Sequence, residues 1–362
     1  MPLSKIQDIG NQVVPNIGPN RNILINGAMT VAQRYTSKAS ISSGDFFVVD
    51  RFGGYINAAG TWTVQQDSDV PAGQGFGSSA KFDCTTANGS LGSGAELLFR
   101  QRIEGRNLQT LLKGTSSAKK TIVQFWVKSN KTGTYICELF DNDNSGRHIG
   151  KAYTISSADT WEHKTITFEG DTTGTLGNDS NTSLTMSWWL AAGSSISSGT
   201  LQTSWGARTD ANRAVGNVNL ADNTSNEWYI TGIQFEVGET FTEFEHEPFE
   251  RTFLKCSRYF QKYYAGNNYT IFLNGGIDSA SGSAHLQSAL RTQMRATPTY
   301  YATNSYLYSQ PGGTISYSGT PDNRCSPDYA SMGYNVGAGD QGHSIRFESS
   351  GTSGTVEYDA EL

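Results

Sequence analysis

A chain of 362 residues with 40 glycines and 11% aromatic residues has room for two or three domains, and for a core that needs no disulfide or metal. The aromatic content argues against a largely disordered chain, because aromatic side chains bury much surface. The formal net charge of −6 argues against a nucleic-acid binder, which needs clustered Lys and Arg. No window approaches 18 consecutive apolar residues, so we expect no membrane insertion.

Residues 1–22 form an irregular opening segment. Prolines and glycines interrupt it, and no regular period persists. It lacks the apolar stretch of a secretory signal, which indicates synthesis in a cytoplasm and free thiols at Cys84, Cys137, Cys256 and Cys325. Such a segment is either loose or anchored to a partner, and its sequence leaves both open.

Strand patterns recur from Asn22 onward, and the first of them covers residues 22–34. We assign residues 23–248 to one domain. Residues 121–128 (TIVQFWVK) alternate apolar and polar side chains with the two-residue period of a half-buried strand. Turn-forming residues separate about ten such runs. Residues 170–180 and 192–200 have the composition of surface loops. These patterns predict an all-β fold with an antiparallel jelly roll or β-sandwich in this region.

The pattern changes after Pro248, which favours a helix start. Apolar side chains then recur at intervals of three and four, which predicts an amphipathic linking helix over residues 249–264. Its apolar face consists of Phe249, Phe253, Cys256, Phe260 and Tyr264. Either a three-fold bundle of helices from three chains or the chain's own sandwich would bury this face, and the sequence leaves both open.

Short strand patterns recur in residues 265–362. They predict a smaller C-terminal β-sandwich. This region is rich in Tyr and poor in charge, as recognition surfaces tend to be. Exposed aromatic rings bind sugars because an apolar ring face stacks on the C–H groups of a sugar ring. The candidate glycan or receptor contacts are Trp188, Trp189, Trp205, Tyr300, Tyr301, Tyr306, Tyr308, Tyr329 and Tyr334. The alternative for each is a place in the core or at a subunit contact.

A partial calcium-loop pattern occurs at residues 141–146 (DNDNSG). Asp141 and Asp143 are the candidate ligands, but Ala152 stands at the twelfth position, where the loop needs a bidentate Glu. An ordinary turn is therefore favoured. No cofactor is predicted, and a structural calcium ion elsewhere in the jelly roll is left open.

The densest acidic cluster comprises Glu243, Glu245, Glu247 and Glu250 around His246. Paired carboxylates cleave glycosidic bonds, whereas acids near a helix N-terminus stabilise the helix. We prefer the second interpretation. The chain also lacks a nucleophile elbow, a phosphate loop and a dinucleotide-binding fingerprint. We predict no enzymatic activity, with a polysaccharide depolymerase as the alternative.

Several segments resemble tail-fibre and other virion fibre structural proteins of bacteriophages, especially those of marine bacteria and cyanobacteria. Residues 20–34 (NRNILINGAMTVAQR) and 48–52 (VVDRF) are similar to the opening of these proteins. Residues 292–301 and 359–362 are similar to their end domain, and residues 122–139 resemble a carbohydrate-binding-module jelly roll. The patterns Q-x-E-x-G, T-x-F-E and C-x-R-Y-[YF] are represented here by Gln234, Glu236 and Gly238, by Thr242, Phe244 and Glu245, and by Cys256, Arg258, Tyr259 and Phe260.

The resemblance implies a homotrimeric fibre that is made in the host cytoplasm and attached to other virion proteins through residues 1–22. Its distal domains would face the host and bind a surface glycan or another receptor. We therefore predict a tail-fibre subunit with structural and adhesive roles. A capsid decoration or head-fibre protein would share the same sequence features and stays an alternative.

Overall fold

The computed structural model describes residues 20–267, 269–277, 283–310, 313–316, 318–336 and 343–362, with residues 318–321 described by their backbone alone. Nearly all of the predicted virion anchor, residues 1–19, lies outside these ranges. No helix within them combines the length and the apolar character that crossing a membrane requires.

Ten strands form the first β unit. They are β1 Ser37–Val49, β2 Phe52–Asp67, β3 Ser79–Thr86, β4 Glu96–Glu104, β5 Thr121–Ser129, β6 Gly133–Asp141, β7 His148–Ile155, β8 Glu162–Phe168, β9 Thr182–Ala192 and β10 Glu227–Val237. All pairs are antiparallel, in the order β7-β6-β9-β4-β2-β3-β10-β5-β8, with β1 beside β2. A single-turn helix, α1 Ser194–Ser197, follows β9.

Strand β2 belongs to both layers of this unit. Its residues 53–57 pair with β4, whereas its residues 61–67 pair with β3. Between them, Ala58 and Gly60 have φ angles of 48° and 82°, which turn the strand from one layer to the other. A Cβ atom at Gly60 would lie 2.4 Å from the carbonyl oxygen of Thr86, so only glycine fits. The resulting two-layer jelly roll confirms the predicted all-β class.

The core of the first unit follows the alternation in the sequence. Val123, Phe125 and Val127 of β5 are fully buried between the layers. Phe99 and Trp228 meet there edge to face, with ring centroids 5.7 Å apart. Burial of these large apolar side chains is the main favourable contribution to the stability of the unit.

The segment of residues 22–34 is not the strand that its sequence predicts. Asn26 and Met29 have φ angles of 65° and 57°, which lie outside the β region of backbone conformation. The buried amide of Asn26 donates hydrogen bonds of 2.9 Å to the carbonyl oxygens of Val31 and Asp50. The side chain thus replaces the bonds of a strand ladder, and the segment packs as an irregular arm.

The predicted linking helix is too long. Helix α2 covers only Phe249–Ser257, and Phe260–Tyr264 forms strand β11. The prediction of one helix with a continuous aromatic face is therefore wrong. Aromatic residues fit a pleated sheet, and pairing with the last strand of the chain overrides the helical spacing of the side chains.

The five residues predicted to form the apolar face of the linking helix therefore do not share one helix face. Cys256 and Phe260 are buried, Phe253 is half-buried, and Phe249 and Tyr264 are 55% and 61% exposed.

The second β unit contains ten strands within the described residues. They are β11 Phe260–Tyr264, β12 Ile271–Ile277, β13 Ser283–Ala289, β14 Thr299–Thr303, β15 Ser305–Gln310, β16 Gly313–Ile315, β17 Ser318–Asn323, β18 Tyr329–Asn335, β19 Ser344–Ser349 and β20 Thr355–Asp359. One sheet has the order β11-β20-β14, and the other has the order β16-β15-β19-β12-β13-β18-β17. Leu286, Met332 and Phe347 belong to a core separate from the first one, which agrees with the predicted smaller C-terminal sandwich.

Arg34 connects the two β units. Its guanidinium carbon lies 3.9 Å from the ring centroids of both Phe47 and Phe260. Its Nη2 atom lies 3.0 Å from the Asp359 carboxylate. One arginine therefore contacts the first unit through β1 and the second through β11 and β20.

A second set of ion pairs lies beside it. Arg258, which follows α2, donates two hydrogen bonds of 2.8 Å to the fully buried carboxylate of Glu104. Arg51 pairs with Glu361, and its guanidinium carbon lies 3.4 Å from the ring centroid of Tyr259. Residues from the separate segments that carry the fibre resemblance thus meet at the joint between the units.

Candidate functional site

The adjacent tryptophans predicted to bind a glycan are both buried. Trp188 faces the main core, whereas Trp189 faces the outer side of β9, where Ile196 of the following segment packs against it. Arg213 lies 5.1 Å from the Trp189 ring and donates two 2.8 Å hydrogen bonds to the buried carboxylate of Glu138. Because a buried carboxylate requires a partner, this ion pair fixes the segment over Trp189. The structure contradicts both predicted contacts.

Trp205 also makes its contacts within the chain. Its indole N–H donates a 2.7 Å hydrogen bond to the carbonyl oxygen of Glu169. Its ring centroid lies 5.2 Å from Nζ of Lys113. The partly buried ring therefore covers a lysine ammonium.

Two of the predicted tyrosines lie in the second core. Tyr334 is 3% exposed and Tyr300 is half-buried, and their hydroxyl oxygens are 3.2 Å apart. Both rings pack against Phe347. The prediction of a receptor contact is wrong for Tyr334, because its ring fills the interior of the sandwich.

The other tyrosines lie on the surface in separate places. Tyr306 and Tyr308 are half-buried on β15, and the Tyr306 hydroxyl donates a 2.8 Å hydrogen bond to Glu348. Tyr301 and Tyr329 are 55% and 46% exposed, but they lie on β14 and β18 of different sheets. The structure does not bring the predicted tyrosines into one receptor surface.

Asp141 and Asp143 do not converge on a common ion. The Asp141 carboxylate pairs with Lys113 and accepts a 2.9 Å hydrogen bond from the Asp143 backbone N–H. The Asp143 carboxylate instead accepts a 2.8 Å bond from the Gly177 backbone N–H. No group of three or more His, Cys, Asp or Glu side chains suited to a metal ion occurs in the described part of the chain.

The acidic cluster before α2 is engaged in structural contacts. Glu245 accepts hydrogen bonds from the backbone N–H groups of Asn20, Arg21 and Asn22, at 2.6, 2.8 and 3.3 Å. Burial raises the pKa of Glu245, but these donors outweigh it and the pKa is lowered. Glu247 pairs with Lys255. A carboxylate with depressed pKa is poorly suited to act as a general acid near neutral pH.

A row of aromatic and polar side chains occupies the outer face of β3, β10, β5 and β8. Since Val123, Phe125 and Val127 face the core, strand alternation directs Gln124, Trp126 and Lys128 outward. Antiparallel pairing places His163 opposite Trp126, Tyr229 opposite Lys128 and Lys81 opposite Tyr229. We call this surface the β5 aromatic face; it consists of Lys81, Gln124, Trp126, Lys128, Trp161, His163, Tyr229 and Phe241.

The first half of the β5 aromatic face contains three neighbouring rings. The ring centroids of Trp126 and His163 are 5.1 Å apart, and those of His163 and Phe241 are 5.3 Å apart. Phe241 is 46% exposed. His163 Nε2 lies 3.0 Å from Gln124 Oε1, which fixes the imidazole orientation. Burial lowers the pKa of His163, so the imidazole is neutral at pH 7.

The second half combines two rings with a fixed charge pair. The centroids of Trp161 and Tyr229 are 6.2 Å apart, and Lys128 Nζ lies 4.2 Å from the Tyr229 centroid. Asp69 pairs with Lys128 and accepts a 2.9 Å hydrogen bond from the Trp161 indole N–H. Burial raises the pKa of Asp69, but these two hydrogen bonds dominate and the pKa is lowered.

The neighbouring Lys81 fixes the position of Tyr229. Its Nζ atom lies 2.7 Å from the carboxylate of Glu227, which accepts a 2.7 Å hydrogen bond from the Tyr229 hydroxyl. Burial raises the pKa of Tyr229, so its hydroxyl keeps its proton. Tyr229 and Gln124 are themselves buried, so they support the face from beneath. The face presents the half-buried rings of Trp126, Trp161 and His163, whose orientations are fixed by neighbours in the sheet.

The arrangement suits an extended polar ligand with apolar faces. Trp126 and Lys128 are two residues apart on one strand, which separates the two halves by about 7 Å. Each half offers a half-buried tryptophan beside donors and acceptors, the combination that binds a sugar ring through both its C–H groups and its hydroxyls. Fixed side chains lose little conformational entropy on binding, which favours affinity.

The sequence contained a signal for this face. The alternation in residues 121–128 places a tryptophan, Trp126, in the polar series with Gln124 and Lys128. A tryptophan on the solvent side of a strand is the feature that a glycan contact would show. The sequence analysis instead chose Trp188, Trp189 and Trp205 as glycan contacts. Local spacing does not show that a later segment of the chain covers Trp189.

A shallow cleft of about 220 Å³ lies at another part of the first unit. Its aromatic part is formed by Phe76, Phe244 and His246, with ring centroids 4.9 to 5.1 Å apart. The irregular arm contributes Asn22 and Thr30 to the same cleft.

No family model matches the sequence, and no curated protein matches it. Among solved structures, the enzymatically active domain of bacteriophage CBA120 tailspike protein 4 is 14% identical, with a TM-score of 0.33. That match covers 61% of this chain and 22% of the tailspike chain.

Carbohydrate-binding modules also match. TmCBM61, solved with β-1,4-galactotriose, is 11% identical with a TM-score of 0.31, over 60% of this chain and 99% of that one. The family 11 module of Clostridium thermocellum, solved with a mixed-linked tetrasaccharide, is 12% identical with a TM-score of 0.30, over 57% and 99%. These similarities are remote, and the jelly-roll assignment depends on the strand order described above.

Proposed function

We propose that this chain is a glycan-binding subunit of a bacteriophage virion fibre, specifically a tail fibre that contacts the host surface. The observation that carries the binding role is the β5 aromatic face, with Trp126 and Trp161 beside fixed polar groups on the open side of a sheet. The virion role is supported by the sequence resemblance to fibre proteins. The separate segments that show this resemblance contribute residues to the joint between the two β units.

Substitution of the two tryptophans tests the binding role. We expect Trp126→Ala and Trp161→Ala each to weaken binding to the recognised glycan by about tenfold or more, because a stacked ring contributes ~1.4 kcal/mol or more. The measurement is binding of the purified chain to an array of bacterial surface polysaccharides, followed by calorimetry on the glycan that binds.

Tyr301→Ala is the matched control, because Tyr301 is an exposed aromatic on the second β unit. If Tyr301→Ala abolishes binding and both tryptophan variants keep it, the receptor contact lies on the C-terminal unit instead. If the unaltered chain binds no polysaccharide on the array, the glycan-binding role is contradicted.

We also propose that the chain assembles as a homotrimer through α2. Phe249 and Leu254 are 55% and 49% exposed in the single chain, and Phe249 stacks on Phe253 with centroids 5.8 Å apart. Two exposed apolar side chains on one short helix favour burial against another chain. Light scattering would give the mass: we expect a trimer for the natural chain and a monomer for the Phe249→Ser/Leu254→Ser variant. A monomeric natural chain contradicts the proposal.

The binding surface is proposed to act without cleaving its glycan. Glu245 and Glu247, in the acidic cluster before α2, are engaged by backbone N–H groups and by Lys255. An assay for new reducing ends, on the polysaccharide that binds, should stay at the level of the buffer control. Release of oligosaccharides would instead favour a depolymerase.

A further inference from the structure

The two lysines of the β5 aromatic face are less exposed than the carboxylates that pair with them. The side chains of Lys128 and Lys81 are 12% and 15% exposed, whereas those of their partners Asp69 and Glu227 are 44% and 36% exposed. Each ammonium group is therefore withdrawn from solvent, and its carboxylate partner is the more accessible member of the pair.

Aromatic rings engage the same two ammonium groups. Nζ of Lys128 lies 4.2 Å from the ring centroid of Tyr229 and 5.7 Å from that of Trp161. Nζ of Lys81 lies 5.2 Å from the Tyr229 centroid. The face of an aromatic ring attracts a cation. To bind an anionic ligand, either lysine would have to give up a carboxylate and a ring.

The two carboxylates stay ionised near neutral pH. Burial raises the pKa of Glu227, but hydrogen bonds from Lys81 and Tyr229 outweigh it and the pKa is lowered. The pKa of Asp69 is also lowered, because its hydrogen bonds outweigh the effect of burial. A uronic acid, phosphate or sulfate group bound beside either carboxylate would meet a charge of its own sign, which disfavours binding.

The other half of the face offers an anion no positive charge. Burial lowers the pKa of His163, so its imidazole is neutral at pH 7. Trp126 and Phe241 contribute ring surface without charge. Among the residues that define the face, positive charge is thus confined to the paired Lys81 and Lys128.

Given the glycan-binding role of the β5 aromatic face, on which this inference rests, we propose that the face selects a neutral glycan. Such a glycan consists of uncharged sugar units, without uronic acid, phosphate or sulfate groups. The rings stack on the C–H groups of the sugars, and the polar groups bond to their hydroxyls. The exposed carboxylates exclude anionic polysaccharides.

Polysaccharides that differ only in charge test the proposal on the natural chain. Alginate and polygalacturonate would be added to the array of bacterial surface polysaccharides, each in its native form and after reduction of its carboxyl groups. We expect every polysaccharide that binds to be neutral, with a Kd that changes less than about twofold between roughly 0.05 and 0.5 M NaCl, because no net ion pair forms.

Binding of an acidic polysaccharide that Trp126→Ala removes, or that carboxyl reduction of the polymer abolishes, overturns the proposal but leaves the glycan-binding role in place. A natural chain that binds no polysaccharide contradicts the glycan-binding role itself, and the neutral class with it. The two failures are therefore distinguishable.

Asp69→Asn tests the exclusion of anions directly. The variant removes one exposed negative charge and keeps an oxygen that can accept the Trp161 indole N–H. We expect it to bind native polygalacturonate about tenfold more tightly than the natural chain at low salt, and to lose this gain in high salt.

Asp322→Asn is the matched control, because it removes the same charge from a 63% exposed side chain of the second β unit. It should bind polygalacturonate no better than the natural chain does. Equal gains in Asp69→Asn and Asp322→Asn, or no gain in Asp69→Asn, would overturn the proposal that the carboxylates of the face exclude anions.

Discussion

Individual charged side chains differ in how strongly they stabilise the joint between the two β units. Glu104 is fully buried and takes hydrogen bonds from Arg258 at 2.8 Å, whereas the more exposed Arg106 lies 3.4 Å from it. The two arginines therefore share one partner but differ in burial and geometry. A bidentate pair with a buried carboxylate is the stronger of these arrangements.

The contrast between the two arginines predicts their effects on stability. Arg258→Ala should lower the free energy of unfolding by about 3 kcal/mol, because it leaves the Glu104 carboxylate buried without its main partner. Arg106→Ala, the matched control, should cost less than about 1 kcal/mol, since that side chain is 48% exposed. Urea unfolding measures both values. Equal losses of unfolding free energy in the two variants would show that the Arg258–Glu104 pair stabilises the fold no more than the Arg106 pair does.

The same carboxylate predicts a pH dependence. Burial raises the pKa of Glu104, but hydrogen bonds from Arg258 and Tyr259 outweigh it, so the pKa is lower in the folded chain. The stabilisation is therefore complete above the pKa of an unfolded glutamate, about 4.3, and is lost as the pH falls through the folded value. Urea unfolding of the natural chain between pH 7 and pH 3 should show this loss, and Arg258→Ala should show less of it.

At the scale of elements, the irregular arm of residues 22–34 completes the first unit by packing on β10. The backbone N–H of Ile23 donates to Phe235, and that of Ile233 donates to Gly27, at 2.8 and 2.9 Å. A bulge in β10 between Thr231 and Gln234 makes room for these bonds. The arm contains one of the segments that carry the resemblance, and its role in this structure is packing.

Close approach of the arm to β10 requires glycine. A Cβ atom at Gly27 would lie 2.0 Å from the carbonyl oxygen of Ile233, so Gly27→Ala must displace one backbone from the other. We expect a loss of about 2 kcal/mol in the free energy of unfolding. Gly94→Ala is the control, because nothing lies within 4 Å of its added Cβ atom, and its effect should be near zero. Thermal unfolding of both variants compares them directly. If Gly27→Ala leaves the stability unchanged, the arm can move away from β10 at little cost.

At the scale of the whole molecule, the described residues form two β units that have separate cores and share a charged joint. Arg34 lies between Phe47 and Phe260 and bonds to Asp359. Strand β11 follows α2 closely and pairs with β20 near the end of the chain. Folding of the second unit therefore fixes its position against the first.

Arg34→Ala should uncouple the two units. We expect calorimetry to show one unfolding transition in the natural chain and two resolved transitions in the variant, because each unit has its own core and the variant loses a side chain that contacts both units. Arg208→Ala, which removes a 50% exposed arginine of the first unit, should keep a single transition. A single transition in Arg34→Ala would show that the remaining contacts suffice for coupling.

The sequence by itself determined the all-β class, the jelly roll and the smaller sandwich after it. These follow from local period and turn composition, which decide whether a segment such as residues 121–128 can be a half-buried strand. The same alternation also contained Trp126 on the polar side, so part of the candidate site was available from sequence.

Only the tertiary structure decided which side chains are free to bind. Trp189 faces outward from its strand, yet Arg213, paired with Glu138, closes a later segment over it. Phe260 has helical spacing from Cys256, yet it joins a strand because β20, about a hundred residues away, supplies its partner. Burial and strand pairing depend on contacts distant in the chain, and local periodicity carries no information about them.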